Sequence, residues 1–583
     1  MPQTDSQHSR ATGRISAWGP ALLGDGQARF RLWAPDQNEL TLERKGTAPL
    51  AMTRDEQGWF SVVAEAEAGA RYRFRLNDEL AVPDPAARVQ AGGVHGWSLL
   101  TDPAAYRWRC NEWRGRRWEE TVIEEVHAGV LGGFSGLAER LPEMADRGVT
   151  AVEIMPVAAF SGTRNWGYDG VLPYAVAEPY GTPEEFKAMI DRAHELGLMV
   201  FLDVVYNHFG PDGNYLGAYA SDFFDTDADT PWGGAVAVSR DPVKRFFIDN
   251  ALMWLGEYRI DGLRFDAVHA IADNEFLDEM AAEIRTAFPG RHIHLVLENE
   301  HNDTQRLAPE LYDAQWNDDF HNVMHVLLTG ESEGYYAGFS EDPTAKLARC
   351  LAEGFIYQGE TPPGADRARG TPSGHLPATR FVSFLQNHDQ TGNRALGERL
   401  TVLTDRDRLR AATALLLLMP QIPLLFMGDS EGSRSPFLFF TDFHEELADA
   451  VREGRRGEFA SFAAFAEPEA RKRIPDPNAR STFAASKPEP GPDAEEWRAL
   501  YRELLALRQA QVVPRLAGAQ GLGAEVLSAG AVTARWRMSD EAVLSIAINL
   551  GTEEVGYPAA QGEVLFELGN GGAPASFRAA LAA

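Results

Sequence analysis

The chain has 583 residues, and its 55 basic against 85 acidic side chains leave a net charge of −30. That acidic balance, with no local basic patch, excludes general nucleic-acid binding. Two cysteines, Cys110 and Cys350, exclude a disulfide framework or a cysteine-built metal site and read as reduced thiols.

The segment Met1 to Ala17 is polar and lacks an apolar core, so no secretory signal is expected there. Residues 1–108 then read as an all-β module of the immunoglobulin-like sandwich kind. Ala28-Arg29-Phe30-Arg31-Leu32-Trp33 and Arg71-Tyr72-Arg73-Phe74-Arg75-Leu76 alternate in character, and Gly and Pro punctuate the intervals.

From residue 109 the pattern changes to apolar runs separated by helical stretches. Eight runs qualify as strands: 121–126, 150–155, 198–206, 261–267, 293–298, 312–317, 381–387 and 422–427. Helices are expected at 183–196, 243–258 and 275–288, the first opened by Thr182 with Glu185 three residues on, a capping-box pattern. The stretch 411–427 imitates a membrane span, but Pro420 and Pro423 break it into a buried helix followed by a buried strand. Repeated β-α units of this length predict a central (β/α)8 TIM barrel over 109–516. After a helix at 495–508 the pattern is β-like again, so 517–583 is expected to be a small carboxy-terminal β domain. The expected fold is thus multidomain α/β, a barrel flanked by two β modules.

Acids end four of the barrel runs. The third closes on Asp203-Val-Val-Tyr-Asn207-His208, the fourth on Arg264-Phe265-Asp266, the fifth on Leu297-Glu298, and the seventh on Asn387-His388-Asp389. An acid leaving an apolar strand is costly to bury unless it is paired or used, and barrel chemistry sits at the carboxyl ends of the strands. Each acid alone reads equally well as a helix cap or an ion pair; four together do not. Two carboxyl groups on adjacent strands meet the needs of a retaining glycosidase, one as nucleophile and one as acid. Arg264, two residues before Asp266, falls on the same strand face and would hold that carboxylate ionised.

These segments, with Asn165-Trp166-Gly167-Tyr168-Asp169-Gly170, resemble the signature segments of the α-amylase superfamily. The resemblance implies Asp266 as nucleophile, Glu298 as general acid/base and Asp389 as transition-state stabiliser. Tyr168, Asp203, His208, Arg264 and His388 would form the sugar site, with Asn207 supporting it. Finer segments are similar to the malto-oligosyltrehalose trehalohydrolase branch: Pro83-Asp84-Pro85-Ala86-Ala87-Arg88, Gln315-Trp316-Asn317-Asp318-Asp319-Phe320, and Ser435-Pro436-Phe437-Leu438-Phe439-Phe440. That branch implies hydrolysis of the α-1,4 bond beside a terminal trehalose, a cytoplasmic setting, a synthase forming the substrate, and no cofactor. A glycogen-type branching or debranching enzyme is the alternative, and a catalytically dead glucan-binding barrel a third reading. Neither nucleic acid nor membrane is expected as a partner.

Three segments depart from the family pattern. The first strand reads Ile123-Glu124-Glu125-Val126-His127 and is followed by a short segment; Glu300 competes with Glu298; and Gly428-Asp429-Ser430-Glu431-Gly432 replaces the usual Gly-Glu-Glu-Trp. Glu298 is preferred as the acid because it directly ends the run Leu295-Val296-Leu297. Of the tryptophans, Trp232 in the loop after the third strand is expected to be a sugar platform, whereas core packing suits many of the others. His292, His294, Glu298 and His301 are too loosely spaced for a metal site, and none is expected.

Overall fold

The computed structural model describes residues 16–77, 80–230, 233–271 and 273–583. The amino-terminal strands form two antiparallel sheets. One orders Ala21–Gly24, Gln27–Trp33, Trp59–Glu65 and Thr53–Arg54 side by side; the other is built around Thr41–Arg44, Arg71–Arg75 and Trp97–Leu99. The alternation read in the sequence has the expected result: Phe30 and Leu32 point inward from one sheet, Tyr72 and Phe74 from the other. Phe30 meets Tyr72 edge-on across the sandwich at 4.8 Å between ring centroids. Trp18 seats this module on the barrel by touching Trp59 on one side and Phe246 on the other, both at 4.9 Å. Arg88 adds an ion pair to Glu257 at 2.6 Å.

Eight parallel strands close a barrel in chain order. They are β1 (Ile123–Val126), β2 (Ala151–Ile154), β3 (Met199–Val204), β4 (Gly262–Phe265), β5 (His294–Leu297), β6 (Ala314–Trp316), β7 (Phe381–Ser383) and β8 (Ile422–Phe426), with β8 pairing back on β1. Each lies inside one of the eight runs read from the sequence. The helices α1 (Gly133–Arg147), α2 (Pro183–Glu195), α3 (Asp241–Glu257) and α4 (Asn274–Ala287) follow the first four strands. The expected capping box is present: Thr182 Oγ1 accepts from the Glu185 amide at 3.2 Å, and Glu185 Oε2 accepts from the Thr182 amide at 2.8 Å. The apolar stretch at 411–427 divides as expected into α5 (Arg406–Leu418) and β8.

The barrel interior is layered. Trp118, Ile123, Ala151, Met199, Phe201, Val296, Trp316, Val382 and Ile422 form an apolar plug. Because strand side chains alternate with period two, the residues two places beyond plug members again point inward. Those successors include Glu125 beyond Ile123, Glu153 beyond Ala151, Asp203 beyond Phe201 and Glu298 beyond Val296. A charged layer therefore sits directly on an apolar floor at the carboxyl ends of the strands.

Beyond the barrel, helix Ala494–Leu507 leads to a five-stranded antiparallel sheet in the order Gln520–Ser528, Ala531–Arg537, Val543–Asn549, Ser576–Ala582, Glu563–Leu568. Trp536 anchors this sheet to helix Pro343–Glu353 by donating from its indole to the Leu351 carbonyl at 3.0 Å. No described helix is long and apolar enough to cross a membrane. Cys110 and Cys350 are both free.

Candidate active site

Arg264, fully buried on β4, organises the charged layer. Its Nη1 donates to both Asp203 oxygens at 2.9 and 2.8 Å and to Asp266 Oδ1 at 2.8 Å. Its Nη2 lies 3.0 Å from Glu298 Oε2. The guanidinium plane rests over the Trp316 ring at 4.2 Å, so the apolar floor fixes the orientation of the cation above it. One guanidinium thereby gathers acids from β3, the end of β4 and the end of β5.

Asp266 also accepts from Asn207 Nδ2 at 2.9 Å, and the same amide nitrogen donates to the Asp266 carbonyl at 2.9 Å. The next residue, Ala267, takes φ +41°, a left-handed conformation unusual for a residue with a Cβ. That turn aims the Ala267 amide at Glu298 Oε2, 2.6 Å away. Backbone strain beside a catalytic candidate is a common accompaniment of function, and nothing in the sequence marked this position.

The carboxyl groups are held in different protonation states. Burial is the main force raising Glu298, opposed by Arg264 and reinforced by Asp266 and Asp389, and its pKa is pushed up to about 8. Asp389 is also buried, but His388 and Arg264 overcome that cost and bring it down to about 2. Asp203, buried among the same charges, is raised to about 6. A protonated Glu298 beside an ionised Asp389 at neutral pH is the division of labour that acid-assisted bond cleavage needs.

Tyr168 donates to Asp203 Oδ2 at 2.6 Å and stacks on His388, ring centroids 5.0 Å apart. It is delivered by a tight turn in which Asn165 Oδ1 accepts the Gly167 amide at 2.7 Å. Gly167 has φ +108°, and a Cβ there would meet the Pro156 carbonyl oxygen at 2.2 Å, so no other residue fits. His208 Nε2 lies 3.0 Å from the Tyr168 carbonyl, and its Nδ1 contacts Asn207 Oδ1. Burial lowers the His208 pKa.

Asp203, Asp266, Glu298, Asp389, Tyr168, His208, Arg264 and His388 therefore converge on one end of the barrel. Trp232 lies outside the described residues. Trp166 and Trp316 are buried, the former stacked on Phe437 at 5.3 Å. His294 gives its Nε2 to the Arg116 carbonyl at 2.8 Å, at the opposite end of β5 from Glu298. Glu300 is largely exposed and 3.5 Å from His269, whereas Glu298 lies against Arg264.

Three charged residues near the site had no assigned role in the sequence. Glu125 on β1 binds His388, which follows β7, over the intervening end of β8. Glu153 is buried beside it and raised well above the ordinary carboxylate range by burial, Glu125 and Asp203. Asp318, at the start of helix Asp318–Thr329, accepts from Gln390 at 3.2 Å and is pushed up to about 7 by burial. For Glu125 and Glu153 the available signal was an acid inside an apolar run, which a solvent-facing alternation explains equally well until the barrel is closed.

The profile for "Alpha amylase, catalytic domain" matches residues 101–230, and that of a domain of unknown function, DUF3459, matches 519–582. The malto-oligosyltrehalose trehalohydrolase of Deinococcus radiodurans is 41% identical over 86% of this chain and 84% of its own. The enzyme of the same name from Saccharolobus solfataricus is 40% identical over 76% and 80%. A crystal structure from Salmonella typhimurium, of a protein provisionally termed an alpha amylase, superposes with a TM-score of 0.93 at 44% identity, covering 98% of this chain and 100% of that one. With a closed barrel, its flanking antiparallel sheets and relatives matched along most of their length, the chain belongs to the malto-oligosyltrehalose trehalohydrolase family of α-amylase-type glycoside hydrolases.

Proposed function

We propose that the enzyme hydrolyses the α-1,4-glucosidic bond next to the terminal trehalose unit of malto-oligosyltrehalose, releasing trehalose and a shorter maltooligosaccharide. The observation that carries the chemistry is the shared guanidinium of Arg264, which contacts Asp266 and Glu298 together. A retaining mechanism needs its two carboxyl groups roughly 5–5.5 Å apart, closer than an inverting one, and a common cation draws them together.

Glu298, protonated through its raised pKa, gives its proton to the glycosidic oxygen while Asp266 attacks the anomeric carbon and forms a β-glycosyl enzyme. Glu298, now ionised, takes a proton from water, which attacks the same carbon and restores the α configuration. Asp389 stabilises the positive charge that develops on the ring in both steps. Arg264 orients the nucleophile through its bond to Asp266 Oδ1, while Asp203 acts through its bonds to Arg264 and Tyr168. Tyr168, His208 and His388 line the site of the cleaved sugar. All of this is carboxylate chemistry on a neutral substrate.

The substrate class requires a prior enzyme that converts the reducing end of a maltooligosaccharide to trehalose. We accordingly place the protein after such a synthase, in trehalose biosynthesis in the cytoplasm. Incubation with malto-oligosyltrehalose tests the reading: free trehalose is the expected product. New or cleaved α-1,6 linkages would assign a branching or debranching enzyme instead, and no turnover a dead barrel. Asp266→Asn and Glu298→Gln should each lower kcat by at least the roughly 10²–10⁴-fold contribution of a positioned catalytic group; near-normal turnover by either overturns its assignment.

A further inference from the structure

Glu125 stands outside the signature segments, yet it makes the closest contacts to one of them. Consecutive strand residues face opposite ways, and β1 uses this to separate two adjacent acids. Glu124 points outward to an ion pair with Arg147 on α1 at 2.5 Å, whereas Glu125 points into the barrel. There Glu125 Oε1 lies 2.5 Å from His388 Nδ1, and Oε2 accepts the His388 backbone N–H at 2.9 Å. One carboxylate thus holds both the ring and the main chain of a residue far away in sequence. The other ring nitrogen, Nε2, faces Asp389 Oδ2 at 3.4 Å. Tyr168 stacks on the ring face, and Trp166 meets it edge-on at 5.6 Å.

We propose that Glu125 is a positioning residue of the hydrolytic site, acting through His388 to fix the place and charge of Asp389. The proposal rests on the reading of Asp389 as the transition-state stabiliser and adds the group that sets its environment. An ionised carboxylate only accepts hydrogen bonds, so a ring with a carboxylate oxygen at each nitrogen carries a proton on both. His388 is then an imidazolium between two anions. Burial opposes that charge, but Asp389 and Glu125 outweigh it, and the His388 pKa lies well above its ordinary value.

The other groups around the ring leave this arrangement intact. Glu153 on β2, the register partner of Glu125, is kept neutral by its own burial. Asp203 on β3 is committed to Arg264 and Tyr168, and Arg264 on β4 lies across the barrel floor. His127, just past β1, is lowered to about 4 by burial, so it is neutral under assay conditions. The imidazolium is therefore balanced by Glu125 on one side and Asp389 on the other.

Glu125→Gln retains size and one acceptor but removes the charge. The expected loss in kcat is roughly 10–100-fold, below the 10²–10³-fold typical of a group in direct contact with the transition state, with KM little changed. Without the cation beside it, Asp389 binds its proton more readily, so the acid limb of the kcat profile moves up by at least about one pH unit. Glu125→Asp, which keeps the charge, should return that limb toward the wild-type position. A loss of kcat with an unmoved acid limb would show a merely structural role and overturn the proposal. So would wild-type kinetics for Glu125→Gln while Asp389→Asn is inactive. If Asp389→Asn itself keeps full activity, it is the catalytic reading that fails. A readout independent of turnover is 15N-histidine NMR of the resting enzyme, with His388 assigned by its loss in His388→Asn. Both His388 nitrogens should stay protonated through pH 8 in the wild type and in Glu125→Asp; a neutral ring in the wild type refutes the proposal even where Glu125→Gln fails to fold.

Discussion

At the scale of single residues the site works by giving chemically similar acids different surroundings. Glu298 is raised by burial, with Asp266 and Asp389 adding to it against the opposing charge of Arg264, whereas Asp389 has an imidazolium neighbour and the Asn393 amide at 3.2 Å. The first therefore keeps its proton at neutral pH and the second loses it. A general acid works only while protonated, so kcat/KM should decline as pH rises through about 8, the value set for Glu298. A pH–rate profile on the free enzyme checks this, and an alkaline limb near 5 would mean that Glu298 is not the acid. Asp266, Glu298 and Asp389 were nominated from the sequence because each follows an apolar run, where an acid needs a reason. Glu125 and Glu153 were not, because an acid in the middle of a short strand reads as its solvent face. Only closure of the sheet turns that face inward.

At the scale of elements the same distinction holds. All eight barrel strands were readable as apolar runs, even β6 and β7, which retain only three residues each. A run buried on both faces needs no alternation to be noticed. Of the helices that cover them, α2 alone carried a cap signal in the sequence, and its structure shows the reason. Thr182 and Glu185 satisfy each other's backbone amides at its start, and Pro183 at the first helical position wastes no donor. Thr182→Ala should cost about 1 kcal/mol of stability and leave kcat unchanged, since α2 lies outside the barrel. Thermal unfolding together with turnover measures both; a change in kcat would mean that the start of α2 is coupled to the site. Turns were less readable than strands. The left-handed Ala267 carries no sequence mark, and Gly167 reveals its necessity only when the Pro156 carbonyl is seen against it.

For the whole molecule, the charge of −30 has two parts with different consequences. Most of the acids lie in surface pairs or in solvent and serve solubility. A small set at the barrel mouth holds protons that the unfolded chain would release, and these make stability depend on pH. Glu298 titrates near 8 in the folded state against an ordinary carboxylate value, and Asp318 near 7. His388 stays charged in the folded state at pH values where a free histidine is neutral. Between pH 6.5 and 8 the native state therefore binds more protons than the unfolded one, and stability must fall as pH rises. Each such group contributes about 1.4 kcal/mol per pH unit within its own window. The buried histidines with lowered values, His127 near 4 and His321 near 3, act in the opposite direction, but only below pH 6.5, where an unfolded histidine charges. Asp389 and Glu331, both brought down to about 2, are ionised in both states throughout this window and contribute no slope. The melting temperature should accordingly decline by a few degrees from pH 6.5 to 8.5. In Glu298→Gln, which cannot release a proton there, the decline should be shallower. Calorimetry on the two proteins in matched buffers makes the comparison, and parallel curves would mean that Glu298 is already ionised in the resting enzyme. The same proton that the resting barrel holds at a cost in stability above neutrality is the one that bond cleavage requires.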